Sequence, residues 1–289
     1  MGRTTRRWLL ALGLLGSLTA HAGSPVWALH GEHNTVYLAG SVHLLRANDA
    51  ALPAAFERAY AGSRALVMEL DLGKLDQLEA GSWMMAHGTL PDGSSLRKAV
   101  GEERYRRVTA EADRLGLPME AADRQTPWAI GLELLELQYM QLGFDPEQGV
   151  EQQLERRAQA DGKPTSGLET VTEQLGVFET LSPEDQARFL DLVVTEMHEV
   201  ESETRSVVAA WRTGDARKLA ALLGDEYKSF PTLYRTLVTD RNRRWLPQIE
   251  KLLKDKDNYL VVVGALHLVG DGGLLELMRK DGFAAEALN

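Results

Sequence analysis

Two stretches decide how the chain reads: Asn34-Thr-Val-Tyr-Leu-Ala-Gly40-Ser-Val-His43-Leu44 near the start and Asn258-Tyr-Leu-Val-Val-Val-Gly264-Ala-Leu-His267-Leu268 near the end. Asn, Gly, His and Leu recur at the same offsets, and an apolar run precedes each glycine. Such a run predicts a strand covered on both faces. Each stretch therefore predicts a buried strand that stops at a glycine and throws a histidine into the following loop. In open α/β sheets, ligands bind beyond the carboxyl ends of the strands. If the two strands are parallel, His43 and His267 share one sheet edge and form the floor of a site.

Working outward, Ala65-Leu-Val-Met-Glu69-Leu70 predicts a further strand, and Glu69 is its anomaly. A carboxylate at the end of a buried apolar run is costly without a partner, so Glu69 calls for an arginine or a metal ion. Gly167-Leu-Glu169 repeats the pattern. A capping box, Thr170-Val-Thr-Glu173, accounts for Glu173 but not for Glu169, and Gln174 follows in the next helix. Thr239-Asp240-Arg241-Asn242-Arg243-Arg244-Trp245 collects three arginines and an asparagine on one helix. There Arg241 and Arg244 share a face at i, i+3, while Asn242 and Arg243 point elsewhere.

The remaining segments are mostly helical. Val26–His30 and residues 35–39 predict a hairpin around Gly31-Glu32-His33-Asn34, with His30 and His33 as exposed turn residues. Helices are expected over residues 53–60, 75–86, 94–100, 102–115 and 150–160, and from Pro127 onward. Trp128 and Tyr139 read as core. Ser182-Pro183-Glu184-Asp185 is a strong helix start, and that helix is expected to reach almost to Thr213. Its Glu196, His198, Glu199, Glu201 and Glu203 lack convergent spacing and read as a solvated acidic face. A last long helix is expected over about 237–254. Gly270-Asp-Gly-Gly273 is no phosphate loop, because no Lys-Ser/Thr follows. The fold class is α/β: a central, mainly parallel sheet with a large helical middle. Residues 23–289 form one domain with a helical insertion at about 74–160 and a helical segment at about 170–254. Whether the helical middle is a lid, a specificity domain or a homodimer surface stays open at this level.

The chain has 289 residues, 44% hydrophobic and 26% charged, enough for one large core. Arg3, Arg6 and Arg7, an apolar run over residues 8–18 and Ala20-His21-Ala22 make a secretory leader over residues 1–22. Its removal takes the net charge from −10 to about −13. An acidic chain without a basic stripe argues against nucleic acid and anionic membranes as partners, and no second apolar run is long enough to anchor it. With no cysteine there are no disulfides and no thiolate zinc sites, so a metal would have to use His, Asp or Glu. The expected location is the periplasm or the exterior.

Taken in order, Gly40-Ser-Val-His43, Glu69, Gly167-Leu-Glu169 with Gln174, Arg241-Asn242 and Gly264-Ala-Leu-His267 resemble the TraB/GumN family, which includes the Tiki and pheromone-shutdown proteins. The resemblance covers nearly all of the chain after the leader. It implies an α/β fold in which the two Gly-x-x-His motifs and an acidic residue form the site. For Tiki proteins it implies a divalent-metal-dependent protease, with manganese or cobalt favoured. The wider superfamily resembles erythromycin esterases and haem-binding ChaN-like proteins, where a Glu stands near the first His and this chain has Ser41.

Two neutral imidazoles and a carboxylate suffice for a divalent ion with open positions, which would activate water and polarise a carbonyl. On this reading His43, His267 and Glu69 hold manganese, cobalt or zinc, and Glu169 is a further ligand or the base. Arg241 and Asn242 stabilise the oxyanion, and Ser41 orients His43, since no Gly-x-Ser-x-Gly elbow supports a serine nucleophile. The expected reaction is hydrolysis of peptide or amide bonds in a peptide or protein. Two other classes stand beside it: a metal-free hydrolase with His43 as base and Glu69 as its partner, and a non-catalytic binder of haem or a short peptide. The leader yields the first prediction: exported protein begins at Gly23. N-terminal mass analysis showing residues 9–18 intact would refute it.

Overall fold

The structure is a computed structural model that describes residues 24–227 and 230–288, so the predicted leader lies outside the described residues. Six strands form one mixed sheet: β1 (Val26–His30), β2 (Thr35–Ser41), β3 (Ala65–Met68), β4 (Thr165–Gly167), β5 (Tyr259–Gly264) and β6 (Ala285–Ala287). Their order is β4-β3-β5-β2-β1-β6. The most apolar strand, β5, lies between β2 and β3 and runs parallel to both. That is the physical reason for its run of valines: with neighbours on both edges and helices over its faces, it has no wet side. Ser41 pairs in register with Gly264, so β2 and β5 end level, and Met68 pairs with Val262, so β3 ends two residues earlier and Glu69 follows at the same sheet edge.

The sheet edge departs from a mainly parallel reading. β1 turns back on β2 as the predicted hairpin and is itself paired antiparallel with β6. β6 is three residues long and only partly buried, too short to show an alternating pattern.

Two cores result. One surrounds the sheet; the other, built on Trp128, Phe178 and Phe189, lies wholly among helices. The expected long helix after Ser182 is two helices, Pro183–Glu196 and Val200–Arg212. Met197 is fully buried at the corner between them, and the break turns Val200 toward the space between the cores. The last long helix also differs. It starts at Pro231 and passes through a π-turn at Arg235–Thr239 before continuing as Asp240–Leu252. His267 sits in a single helical turn, Ala265–Leu268, and not in an open loop.

Several contacts pin the end of β2. The Trp211 indole N–H donates to the Gly40 carbonyl at 2.6 Å. Arg46 donates to the Leu142 carbonyl at 3.0 Å and to Glu201 at 2.7 Å, and it stacks on Phe144. The Val150–Asp161 helix begins directly against the His43 segment, with Val150 N–H donating to the Val42 carbonyl at 3.2 Å. A Cβ on Gly149 would overlap the His43 carbonyl oxygen, so this approach requires glycine. Gly149→Ala is therefore expected to lower stability by about 1–3 kcal/mol, the usual cost of overpacking. It would be read as a lower urea midpoint at unchanged slope; an unchanged midpoint would refute the close contact.

Candidate functional site

Glu69 leaves the carboxyl end of β3 and is 5% exposed. One oxygen accepts the Gly264 N–H at 2.7 Å. The other accepts from Arg241 at 2.5 Å and from Gln174 at 3.1 Å. Glu169, just after β4, takes the same guanidinium: Arg241 Nη2 at 2.5 Å, and Nε at 3.1 and 3.3 Å. The Nη1 group of Arg241 donates to the Leu237 carbonyl at 3.1 Å and to His267 Nε2 at 3.0 Å. All five guanidinium protons are thus engaged. Trp245, one turn along the same helix, has Arg241 over its ring and packs at a tilt of 47° against His267.

This network sets the state of His267. Because Nε2 accepts from Arg241, the proton is assigned to Nδ1, which donates to Asn242 Oδ1 at 2.7 Å. The Asn242 amide in turn donates to the carbonyls of His267 and Gly272 at 3.0 and 2.9 Å. Burial above all, with the charge of Arg241 adding, lowers the His267 pKa to about 3 despite the opposing pull of Glu69, so the ring is neutral. Burial pushes the Glu69 carboxyl up, but the charges facing it and the Gly264 N–H outweigh this and hold it below the ordinary carboxylate range. With His267 neutral, Arg241 and then His43 are the charges that do so at neutral pH. Glu169 goes the other way, raised by burial against the pull of Arg241. Two buried carboxylates share one buried cation.

His43 is different in kind. Its side chain is 62% exposed and opens into a cavity of about 750 Å³ between the sheet edge and the helical core. Its Nδ1 lies 2.8 Å from Glu151, whose side chain is 12% exposed. Ser41 donates its hydroxyl to the same Glu151 oxygen. The Glu151 charge raises the His43 pKa to about 9, against desolvation. Burial opposes ionisation of Glu151, but His43 and Ser41 hold its pKa down. His43 Nε2 lies 3.1 Å from where a Cβ on Gly264 would stand, Glu69 Oε1 3.4 Å and His267 Cδ2 3.6 Å. Gly264 leaves clear the point where both histidines and Glu69 meet.

The structure thus brings together His43, Glu69, Glu169, Arg241 and His267 and corrects several assigned roles. Asn242 is fully buried with both ends of its amide engaged; it orients His267 and has no proton left for an oxyanion. Arg241 is saturated in the same way. Arg241 and Asn242 both point inward, because the buried stripe of their helix is Arg241, Trp245 and Ile249 with Asn242 on its shoulder. Arg244, the expected companion of Arg241, is half-exposed and 3.8 Å from Glu169. Ser41 acts on Glu151 and reaches His43 only through it.

Sequence reasoning missed Glu151 altogether. An acid in the first turn of a helix ordinarily complements the helix dipole, and nothing local shows that its helix starts against His43. Tyr139, read as core, lines the cavity.

A divalent ion does not fit these donors as they stand. His267 Nε2 and one Glu69 oxygen carry Arg241, the other Glu69 oxygen carries Gly264, and His43 Nδ1 faces Glu151, which leaves His43 Nε2 as the uncommitted ring nitrogen, one ligand where an ion needs several. At the Gly264 point His267 presents Cδ2 and not a ring nitrogen, and among the described residues no group of three or more His, Cys, Asp or Glu is arranged to hold a metal ion.

Histidines and a buried carboxylate at the carboxyl ends of parallel strands, under a helical cover, define an α/β protein with a strand-end pocket. The chain belongs to the TraB/PrgY/gumN family, whose match spans residues 25–287. It is similar to the uncharacterized protein YbaP of Escherichia coli, 26% identical over 243 residues that make up 84% of this chain and 87% of that one. The YbaP protein of Shigella flexneri matches at the same identity and coverage. No solved structure matches the chain.

Removing the shared cation should be severe. Arg241→Met strips Glu69 and Glu169 of the guanidinium they share, leaving only the half-exposed Arg244 at 3.8 Å from Glu169 and His43 across from Glu69, and is expected to cost about 3–5 kcal/mol. Adding Glu69→Gln should recover part of that loss in a urea unfolding series. A second substitution that deepens the loss would show that the two side chains are not coupled as described.

Proposed function

We propose that the protein hydrolyses an ester or amide bond, with His43 as the proton-transfer group, Glu151 as its orienting carboxylate and no metal ion in the reaction. The observation that carries this reading is the His43–Glu151 pair, its free Nε2 facing an apolar cavity at the strand ends. A carboxylate on Nδ1 fixes ring and tautomer and stabilises the imidazolium that forms in the reaction. Glu69, across the Gly264 point, favours the same cation.

The steps follow from the geometry. A water on neutral Nε2 gives up a proton as its oxygen attacks the substrate carbonyl. The imidazolium then returns that proton to the leaving oxygen or nitrogen. Arg241, Asn242 and His267 do not touch the proton in transit; they hold Glu69 and the Gly264 edge in place. The leader expected over residues 1–22 puts this chemistry in the periplasm or outside the cell.

The sign of the pH dependence follows from the His43 shift. A base works deprotonated, so kcat/KM should climb with pH and level off near 9. In Glu151→Gln the main cause of the raised pKa is gone, and the limb should move toward the ordinary histidine value of 6.5. The plateau should drop by about 10²-fold or more as the ring loses its orientation. Turnover is expected to survive exhaustive chelation. Loss of turnover on chelation, with recovery on adding manganese or cobalt, would overturn the metal-free reading.

A further inference from the structure

The cavity beyond His43 has a chemistry of its own. Leu132, Leu135, Phe178, Phe189, Val193 and Leu237 line it, all from helices, whose backbone N–H and C=O groups are used internally. Its polar groups fall into two sets. One set is the strand-end site: Ser41, His43, Glu69, Glu151, Gln174 and Arg241. The other, Tyr139, Gln152, Glu196, Glu203 and Thr204, is half-buried except for the exposed Glu203, and Tyr139 and Glu196 come from the helices that carry the wall.

A peptide brings a donor and an acceptor with every residue. Laid along these side chains it would leave them without partners, at a cost. A hydrocarbon chain brings none. At about 750 Å³ the space falls within the usual range for small-molecule sites, about 300–1,000 Å³. The charged lining is largely acidic, which suits a neutral substrate and disfavours retention of an anionic product.

We infer that the substrate is a neutral ester or amide of an aliphatic acid, its carbonyl at His43 and its hydrocarbon tail against the helical wall. This rests on the hydrolytic reading and deepens it. Water oxygen bonds to the acyl carbon, and the bond from that carbon to the alcohol oxygen or amine nitrogen breaks. His43 passes one water proton to the departing group, and the fatty acid leaves as its carboxylate, its remaining proton going to solvent. No redox partner is needed.

The test separates the tail from the chemistry. Alkyl methyl ketones of four to fourteen carbons carry the carbonyl and tail but no scissile bond. Their binding to wild type and His43→Ala, read by displacement of Nile red, should tighten about fourfold per methylene until the wall is filled. With 4-nitrophenyl esters of the same acids, kcat/KM of the wild type should rise in parallel. Leu135→Trp should lower the ten-carbon to four-carbon ratio at least tenfold; should it not fold, Leu135→Ala should move the optimum to longer chains. Ketone binding that grows with length, with no ester or amide cleaved, would keep the tail site and overturn the hydrolytic reading. Cleavage that ignores chain length, or an apolar peptide bound more tightly than a ketone of equal size, would overturn the acyl-chain inference and leave the hydrolase intact.

Discussion

The guanidinium of Arg241, held between Glu69 and Glu169, constrains everything around it. Each of the three groups is buried, and taking each charge out of water is unfavourable by itself. They are stable together because every proton of the cation has an acceptor and both carboxylates point at it. Four distant segments meet there: the end of β3, the turn after β4, the helix after the π-turn and the turn that carries His267. None can shift without exposing a charge to an apolar interior. A network of this kind adds less to stability than to definition, since apolar residues of equal volume would pack at lower desolvation cost. In this protein it holds the floor of a cavity in one geometry.

Against that floor the His43 pair is the adjustable part. It faces the cavity instead of the core, and its partner Glu151 comes from a helix that belongs to neither the sheet nor the Arg241 network. The His43 ring is therefore held by partners of its own, although its Nε2 approaches Glu69 and His267 at the Gly264 point. His267 shows the contrast. It is the same residue type at the same offset from a strand-end glycine, yet it is neutral, buried and committed through both ring nitrogens. The apparent repeat in the chain does not make two equivalent histidines; their neighbours divide them into an exposed ring paired with a carboxylate and a buried structural member.

Much of the fold was legible in the chain because it rests on local physics. Valine runs specify covered strands, Gly31-Glu32-His33-Asn34 turns a hairpin, Thr170 to Glu173 forms its capping box, and Gly116 closes a helix in the left-handed conformation. The parallel order of β3, β5 and β2 follows from apolar character and the helices between them. The requirement that Glu69 have a cation was also legible, because a buried carboxylate without one is too costly wherever it lies, and Glu169 repeated its pattern.

Which cation it would be was not. Arginine and metal ion satisfy the same requirement, and the choice depends on a helix more than seventy residues away from Glu169 turning Arg241 inward, after a π-turn that no spacing rule anticipates. Glu151 was hidden for a related reason: a first-turn acid looks the same whether it faces solvent or a histidine brought from a hundred residues upstream. Local sequence determined the strands, the caps and the need for charge pairing, since those depend on neighbours along the chain. Only the tertiary structure decided the partners, since Coulomb energy and desolvation depend on distance and burial in space, and these exist only once the sheet edge and the helices have closed on one another.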